Sequence, residues 1–302
     1  MATLITGGTG FVGSYLLERV LDPIVTSRNA SRAKAALGDS VTDVIEWDPI
    51  AEPIPLTGNE KIDGVINLMG ESIAEGRWND AKKKRIRDSR VLGTQNLVAG
   101  LRKLNCKPKS FVSASAVGIY GDQGDAFVDE SNLGGKGFMA DLCRDWESAA
   151  MDYANDDVPV SIVRIGIVLG RGGGAIDKLL PIFKWGLGGA LGSGKQYVPW
   201  IHVIDLVNML KWLSETPEMQ GVFNGSAPHP VTNSEQTKAI SNAVRRPALL
   251  PAPEFAVKLM LGGFAQCLFD SQRVIPKAAL DAGFEFEYKT IREAMTEIVE
   301  GQ

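Results

Sequence analysis

Apolar positions fall into short unbroken runs separated by longer stretches with helical spacing. Short runs read as strands buried on both faces, and the longer stretches as helices that cover them. Thr3–Thr6, Ile24–Thr26, Val44–Trp47, Gly64–Leu68, Ser110–Ser113 and Val160–Arg164 are the expected strands. Helices are predicted over Phe11–Leu21, ended by Asp22-Pro23, over Glu75–Arg90, from Val91 to about Leu104, and over Phe138–Asn155. Pro49–Asn59 and Asp122–Gly137 read as loops. Strands that alternate with helices of this length imply a parallel sheet with right-handed crossovers. After Arg164 the alternation breaks down. Gly170–Gly174 and Gly186–Gly194 flank an apolar helix, Ala175–Trp185, and are followed by a strand-like piece, Tyr197–Ile201. A helix over His202–Thr216 and a last strand, Val222–Gly225, precede helices divided by prolines. The expected fold is a doubly wound α/β domain over 1–165, with the strand near 222–225 returning to it. Residues 166–302 are expected to form a smaller, discontinuous lobe over the substrate.

The first strand runs into Gly7-Gly8-Thr9-Gly10-Phe11-Val12-Gly13. Glycines at 7, 10 and 13 suit a tight turn, close backbone approach to a phosphate, and close packing of helix on strand. The helix that follows would aim its first amides at that phosphate. Such a spacing directly after a strand and before an apolar helix is the pattern of a dinucleotide site. The second strand ends at Ser27-Arg28-Asn29, where an acid would contact the ribose 2′-hydroxyl of NAD. Arg28 instead suits a 2′-phosphate, which a guanidinium can pair bidentately. NADP(H) is therefore the expected cofactor, ahead of NAD(H). Expected contacts are Gly7, Thr9, Gly10, Phe11, Val12, Gly13, Arg28, Leu68, Met69, Gly70, Ser113 and Ile165.

The net charge of −4 argues against a general affinity for nucleic acid or anionic membrane. Seven basic residues crowd Glu75–Arg90, namely Arg77, Lys82, Lys83, Lys84, Arg85, Arg87 and Arg90. They read either as a solvated helix face or, for Arg77 or Arg90, as a reach toward a phosphate of cofactor or substrate. Trp78 and Ile86 are assigned to the core. Cys106, Cys143 and Cys267 have no metal or disulfide spacing, and His202 and His229 are the only histidines. No targeting or membrane-spanning stretch is visible, so a cytoplasmic protein with no metal, no nucleic acid and no membrane partner is expected.

Ser113–Gly121 ending in Ile-Tyr-Gly, Arg164–Gly170 and Ile201-His202-Val203-Ile204-Asp205 follow the glycine turn in order. Together these resemble the extended short-chain dehydrogenases/reductases, a Rossmann-fold group that includes NAD(P)-dependent sugar-nucleotide epimerases and dehydratases. Arg77-Trp78, Ser89-Arg90-Val91, Cys143 with Trp146-Glu147, and Pro199-Trp200-Ile201-His202 resemble its atypical "epimerase family" branch. Arg246-Pro247, Leu250-Pro251 and Gly283-Phe284-Glu285-Phe286 resemble that branch's C-terminal domain. The resemblance implies an NADP(H)-binding oxidoreductase or epimerase-like protein acting on a small polar substrate, nucleotide-linked ones included. A homodimer through sheet-flanking helices is common in that superfamily.

Members of the wider group use Tyr-x-x-x-Lys as acid/base and cation, which needs a phenol tuned by a neighbouring charge. Registering on Glu147 puts Met139 at the tyrosine position and Cys143 at the lysine position. The candidates left for catalysis are Ser115, Tyr120 and Ser113, each with a structural alternative, and His202 reads as donor or helix start. Cys143 has no nearby histidine to activate it. A catalytically silent NADP(H) sensor or scaffold is the other reading.

Overall fold

The computed structural model describes residues 1–301. Its strands are β1 (Thr3–Thr6), β2 (Pro23–Ser27), β3 (Asp43–Glu46), β4 (Gly64–Asn67), β5 (Ser110–Ala116), β6 (Phe127–Val128) and β7 (Val160–Ile165), followed by β8 (Ile167–Leu169), β9 (Tyr197–Val198), β10 (Trp200–His202), β11 (Gly221–Gly225), β12 (Val231–Thr232) and β13 (Arg273–Val274). Its helices are α1 (Phe11–Leu17), α2 (Ala30–Leu37), α3 (Asp80–Leu101), α4 (Phe138–Met151), α5 (Gly174–Lys184) and α6 (Val203–Glu215), then α7 (Asn233–Val244), α8 (Glu254–Leu261), α9 (Gln266–Phe269), α10 (Lys277–Asp281) and α11 (Ile291–Glu300).

Seven strands form one parallel sheet in the order β11-β7-β5-β4-β1-β2-β3. The strand order reverses between β1 and β4, which is where a doubly wound sheet opens a crevice at its carboxyl edge. Successive side chains of a strand point to opposite faces. Leu4 accordingly packs with Leu97, Leu101 and Phe111, while Ile5 packs with Leu16, Leu206 and Leu210. One face is thus covered by α3 and α4, the other by α1 and α6. A separate core of Ile176, Phe183, Trp200, Ile240, Met295 and Ile298 joins α5, α7 and α11. β13 pairs in parallel with β6, so the C-terminal chain ties down the loop beyond β5.

Several elements differ from the sequence expectation, each for a local reason. The first helix stops at Leu17, because the chain must turn through Asp22 at φ +47° to enter β2 at Pro23. The basic helix starts at Asp80, where Asn79 caps it by accepting the Lys82 amide at 2.8 Å, so Glu75–Arg77 lie in a turn outside it. It then runs unbroken past Gly93, whose bare side lies against Met69 and Pro49. β5 continues to Ala116, which carries Ser115 to the very end of the sheet.

Candidate functional site

The glycine turn takes the form the spacing requires. Gly7 has φ +71°, and a Cβ there would lie 2.8 Å from the Leu68 carbonyl oxygen. A Cβ on Gly13 would fall 2.4 Å from the Gly7 carbonyl and 2.6 Å from Gly8 Cα, so α1 packs directly on the turn. The Gly10 amide closes it by donating to Gly7 at 3.0 Å. Thr9 and Gly10 are exposed at the apex, and a Cβ on Gly10 would meet only the Gly7 carbonyl, at 3.2 Å. The Phe11, Val12 and Gly13 amides belong to a first helical turn and have no intrahelical acceptor. Room at the apex, free amides and a backbone without Cβ fit a pyrophosphate. Arg28 stands exposed at the end of β2, the strand beside β1, with no ion pair among the described residues.

Behind the turn, a buried network fixes the ends of β1, β4 and β5. Thr6 Oγ1 donates to Asn67 Oδ1 at 2.7 Å and accepts the Leu68 and Met69 amides at 3.1 and 3.2 Å. Asn67 Nδ2 donates to Thr94 and to Ser113 Oγ at 3.0 and 3.1 Å. Ser113 is fully buried by this network and lies outside the cavity described next. Of the two strand-end hydroxyls expected near the site, only that of Ser115 lines the cavity.

A cavity of about 250 Å³ opens in front of these strand ends. Val12, Leu68, Met69, Gly70 and Ile165 line it together with Arg90, Ser115, Met139, Cys143 and Trp146. Ser115 Oγ donates to Glu147 Oε1 at 2.7 Å, so its lone pairs are what it can offer a ligand. Glu147 is gripped by the Nε and Nη2 edge of Arg164, at 2.9 Å for each contact. Burial by itself would lower the Arg164 pKa, but the Glu147 carboxylate and Tyr120 outweigh it and raise the pKa. Sequence reasoning missed this pair, although a charged residue inside an apolar strand signals one.

Tyr120 is fully buried and away from the cavity. Its hydroxyl donates to Asn224 Oδ1 at 2.8 Å and accepts from Arg164 Nη1 at 3.0 Å. Burial also raises its pKa. Its hydroxyl links strands and does not reach the strand-end cavity, which corrects the expectation that it donates a proton there. Met139 and Cys143, the residues registered against the tyrosine and lysine of the Tyr-x-x-x-Lys pair, both line the cavity. Burial, aided by Glu147, pushes the Cys143 thiol up to about 12, so it stays protonated.

His202 caps α6, its Nδ1 accepting the Ile204 amide at 3.3 Å, with Nε2 3.0 Å from Glu297 Oε2. Of the two readings of this histidine, the helix start is the one its contacts occupy.

The basic run divides. Arg77, Lys84, Arg85 and Arg87 are exposed, whereas Lys82 is buried against Glu71 at 2.8 Å. Arg90 reaches the cavity wall. Ile86 is core, while Trp78 is half-buried between Phe138 and Phe264 at ring-centroid distances of 5.5 and 5.9 Å. A wider, polar depression of about 580 Å³ between α3 and α4 contains none of the strand-end residues. Among the described residues there is no cluster of potential metal ligands, and no helix long and apolar enough to cross a membrane.

Comparison with known proteins places these features in a family. The description "NAD dependent epimerase/dehydratase family" matches residues 3–224, and "Domain of unknown function (DUF1731)" matches residues 252–298. The chain is 36% identical over 312 residues to the Arabidopsis thaliana "Epimerase family protein SDR39U1 homolog, chloroplastic", covering 99% of this chain and 87% of the relative. It is 38% identical over 294 residues to the Mycobacterium bovis "Epimerase family protein Mb2239", covering 96% and 95%. The crystal structure of human epimerase family protein SDR39U1 (isoform 2) with NADPH superposes with a TM-score of 0.89 at 34% identity, covering all of both chains.

Proposed function

The chain belongs to the NAD dependent epimerase/dehydratase family, and from that premise we propose that it binds NADP(H) and acts as an oxidoreductase or epimerase-like protein on a small polar substrate. The observation that carries this reading is the cavity shared by the glycine-turn side of the sheet and the Ser115 side. The Gly7–Gly13 turn would hold the pyrophosphate, Arg28 the 2′-phosphate, and Leu68, Met69, Gly70 and Ile165 the nicotinamide half. When bound, the nicotinamide supplies hydride transfer, which needs positioning more than it needs a Tyr-x-x-x-Lys pair. The related human structure was solved with NADPH, which supports the choice of cofactor. Ser115 would orient a substrate hydroxyl or N–H through its lone pairs, because its proton is committed to Glu147.

Met139 and the protonated Cys143 thiol favour a second reading, a binding protein that holds NADP(H) without turnover. Titrating the protein with NADPH and NADH while following nicotinamide fluorescence tests the cofactor assignment. NADPH should bind at least about tenfold more tightly, with the preference lost in Arg28→Ala. Equal Kd values for the two cofactors in the wild type overturn it. A substrate screen that yields no NADPH consumption would favour the second reading.

A further inference from the structure

Arg90 lies on the wall of the cavity with half of its guanidinium in use. Nη1 donates to the Glu71 and Ile86 carbonyl oxygens at 3.0 and 3.2 Å. Nε and Nη2 have no hydrogen-bond partner among the described residues, and no carboxylate pairs with the group. The guanidinium carbon sits 5.2 Å from the centroid of the Trp146 ring, which holds the plane in place. Gly70 lies against the flat face of the guanidinium. A Cβ there would stand 2.7 Å from Cζ, 2.9 Å from Nη2 and 3.1 Å from Nε, so only a glycine lets the group lie in this place.

The local charge is unbalanced. Glu71, the acid beside it, already pairs with Lys82 at 2.8 Å and Arg85 at 3.1 Å, so its carboxylate is taken up by two other cations. The other titratable group beside Arg90 is Cys143, which is protonated and carries no charge. Desolvation draws the Arg90 pKa down to about 10, which still leaves it cationic at neutral pH. A charge held this way and left without a counter-ion is costly, and an incoming anion relieves the cost.

Arg164 shows what the same edge does when it is filled, since its Nε and Nη2 grip the two oxygens of Glu147 at 2.9 Å each. We propose that the free Nε and Nη2 edge of Arg90 is a carboxylate-binding subsite, so that the substrate of this cavity is a small carboxylic acid. This rests on the reading of the cavity as a cofactor-plus-substrate site. The carboxylate takes the paired N–H groups side-on, a geometry that a guanidinium offers and an ammonium does not. A hydroxyl or N–H elsewhere on the same molecule is left to Ser115.

The test uses the NADPH-saturated protein and two pairs of probes, oxamate against oxamide and benzoate against benzamide, titrated by calorimetry. Each carboxylate should bind at least about tenfold more tightly than its amide, the value of a charge-assisted pair over a neutral one. In Arg90→Gln that ratio should fall to about one. Arg90→Lys, which keeps the charge and loses the fork, should recover only part of it and serves if the glutamine variant does not fold. Equal affinity for acid and amide in the wild type overturns the proposal, as does failure of the carboxylates to bind, or a ratio that survives in Arg90→Gln. Failure of the wild type to bind NADPH at all is a different outcome, and strikes the cofactor reading instead.

Discussion

Replacing Glu147 with Gln preserves shape and removes one charge from a nearly dry site. The Arg164 and Glu147 side chains are 9% and 13% exposed, and two contacts of 2.9 Å join them. The glutamine oxygen can satisfy either Arg164 Nε or Nη2. Its amide then presents a donor to the remaining N–H, and the guanidinium stays buried without a counter-charge. Breaking a buried pair from one side costs about 3–5 kcal/mol, whereas an exposed pair is worth about 0–1 kcal/mol. For a chain of this size that corresponds to a fall in Tm on the order of 6–10 °C. Asp145→Asn, which removes the half-exposed partner of Arg87, supplies the matched surface comparison. Urea and thermal unfolding of the cofactor-free protein, followed by circular dichroism, measures both variants without ligand linkage. Glu147→Leu combined with Arg164→Met should regain most of the loss, because no lone charge remains. A Glu147→Gln cost no larger than that of Asp145→Asn refutes the assignment of this pair as the buried tie between α4 and β7.

Three further outcomes follow from single contacts. Gly13→Ala puts a Cβ 2.4 Å from the Gly7 carbonyl, so it should cost about 1–3 kcal/mol and weaken NADPH binding more than about tenfold; an unaltered Kd would show that the turn can yield. Tyr120→Phe should lower stability by about 1–3 kcal/mol, through the partners it strands on Arg164 and Asn224, while the NADPH Kd measured by fluorescence stays the same; a stability equal to wild type speaks against that network. For His202, burial is the leading cause of a pKa below 6.5. The stability gained by keeping the ring neutral is therefore fully present above 6.5 and is lost as pH falls through the lowered folded value. The slope should reach at most about 1.4 kcal/mol per pH unit. His202→Asn keeps a capping oxygen and should lack this limb in unfolding curves taken across acid pH, so an acid limb identical to wild type contradicts the reading.

Much of the fold was legible from local pattern. Unbroken apolar runs alternating with helices fit a parallel sheet covered on both faces, and Gly7, Gly10 and Gly13 directly after a strand and before an apolar helix fit the phosphate turn. The absence of a tyrosine–lysine pair was equally readable at Met139 and Cys143. The start of α3 was less so, because the expected helix began at Glu75, whereas Gly76 takes φ +71° and Asn79 caps the helix at Asp80.

The direction of side chains at the strand ends was decided only by packing. Ser113 and Ser115 are two residues apart and read alike in sequence, yet Asn67 claims one hydroxyl and Glu147 receives the other. Tyr120 and Arg164 lie far apart along the chain, and their bond exists because β5 and β7 are neighbours. Arg90 was one of seven basic residues in a run, and with Arg77 it read either as part of a solvated face or as a reach toward a phosphate. Its inward reach depends on Trp146 from α4, the backbone of Glu71 and the missing Cβ of Gly70. Spacing along a chain fixes which residues share a face. Which of them meets an unpaired charge depends on segments that only tertiary packing brings together.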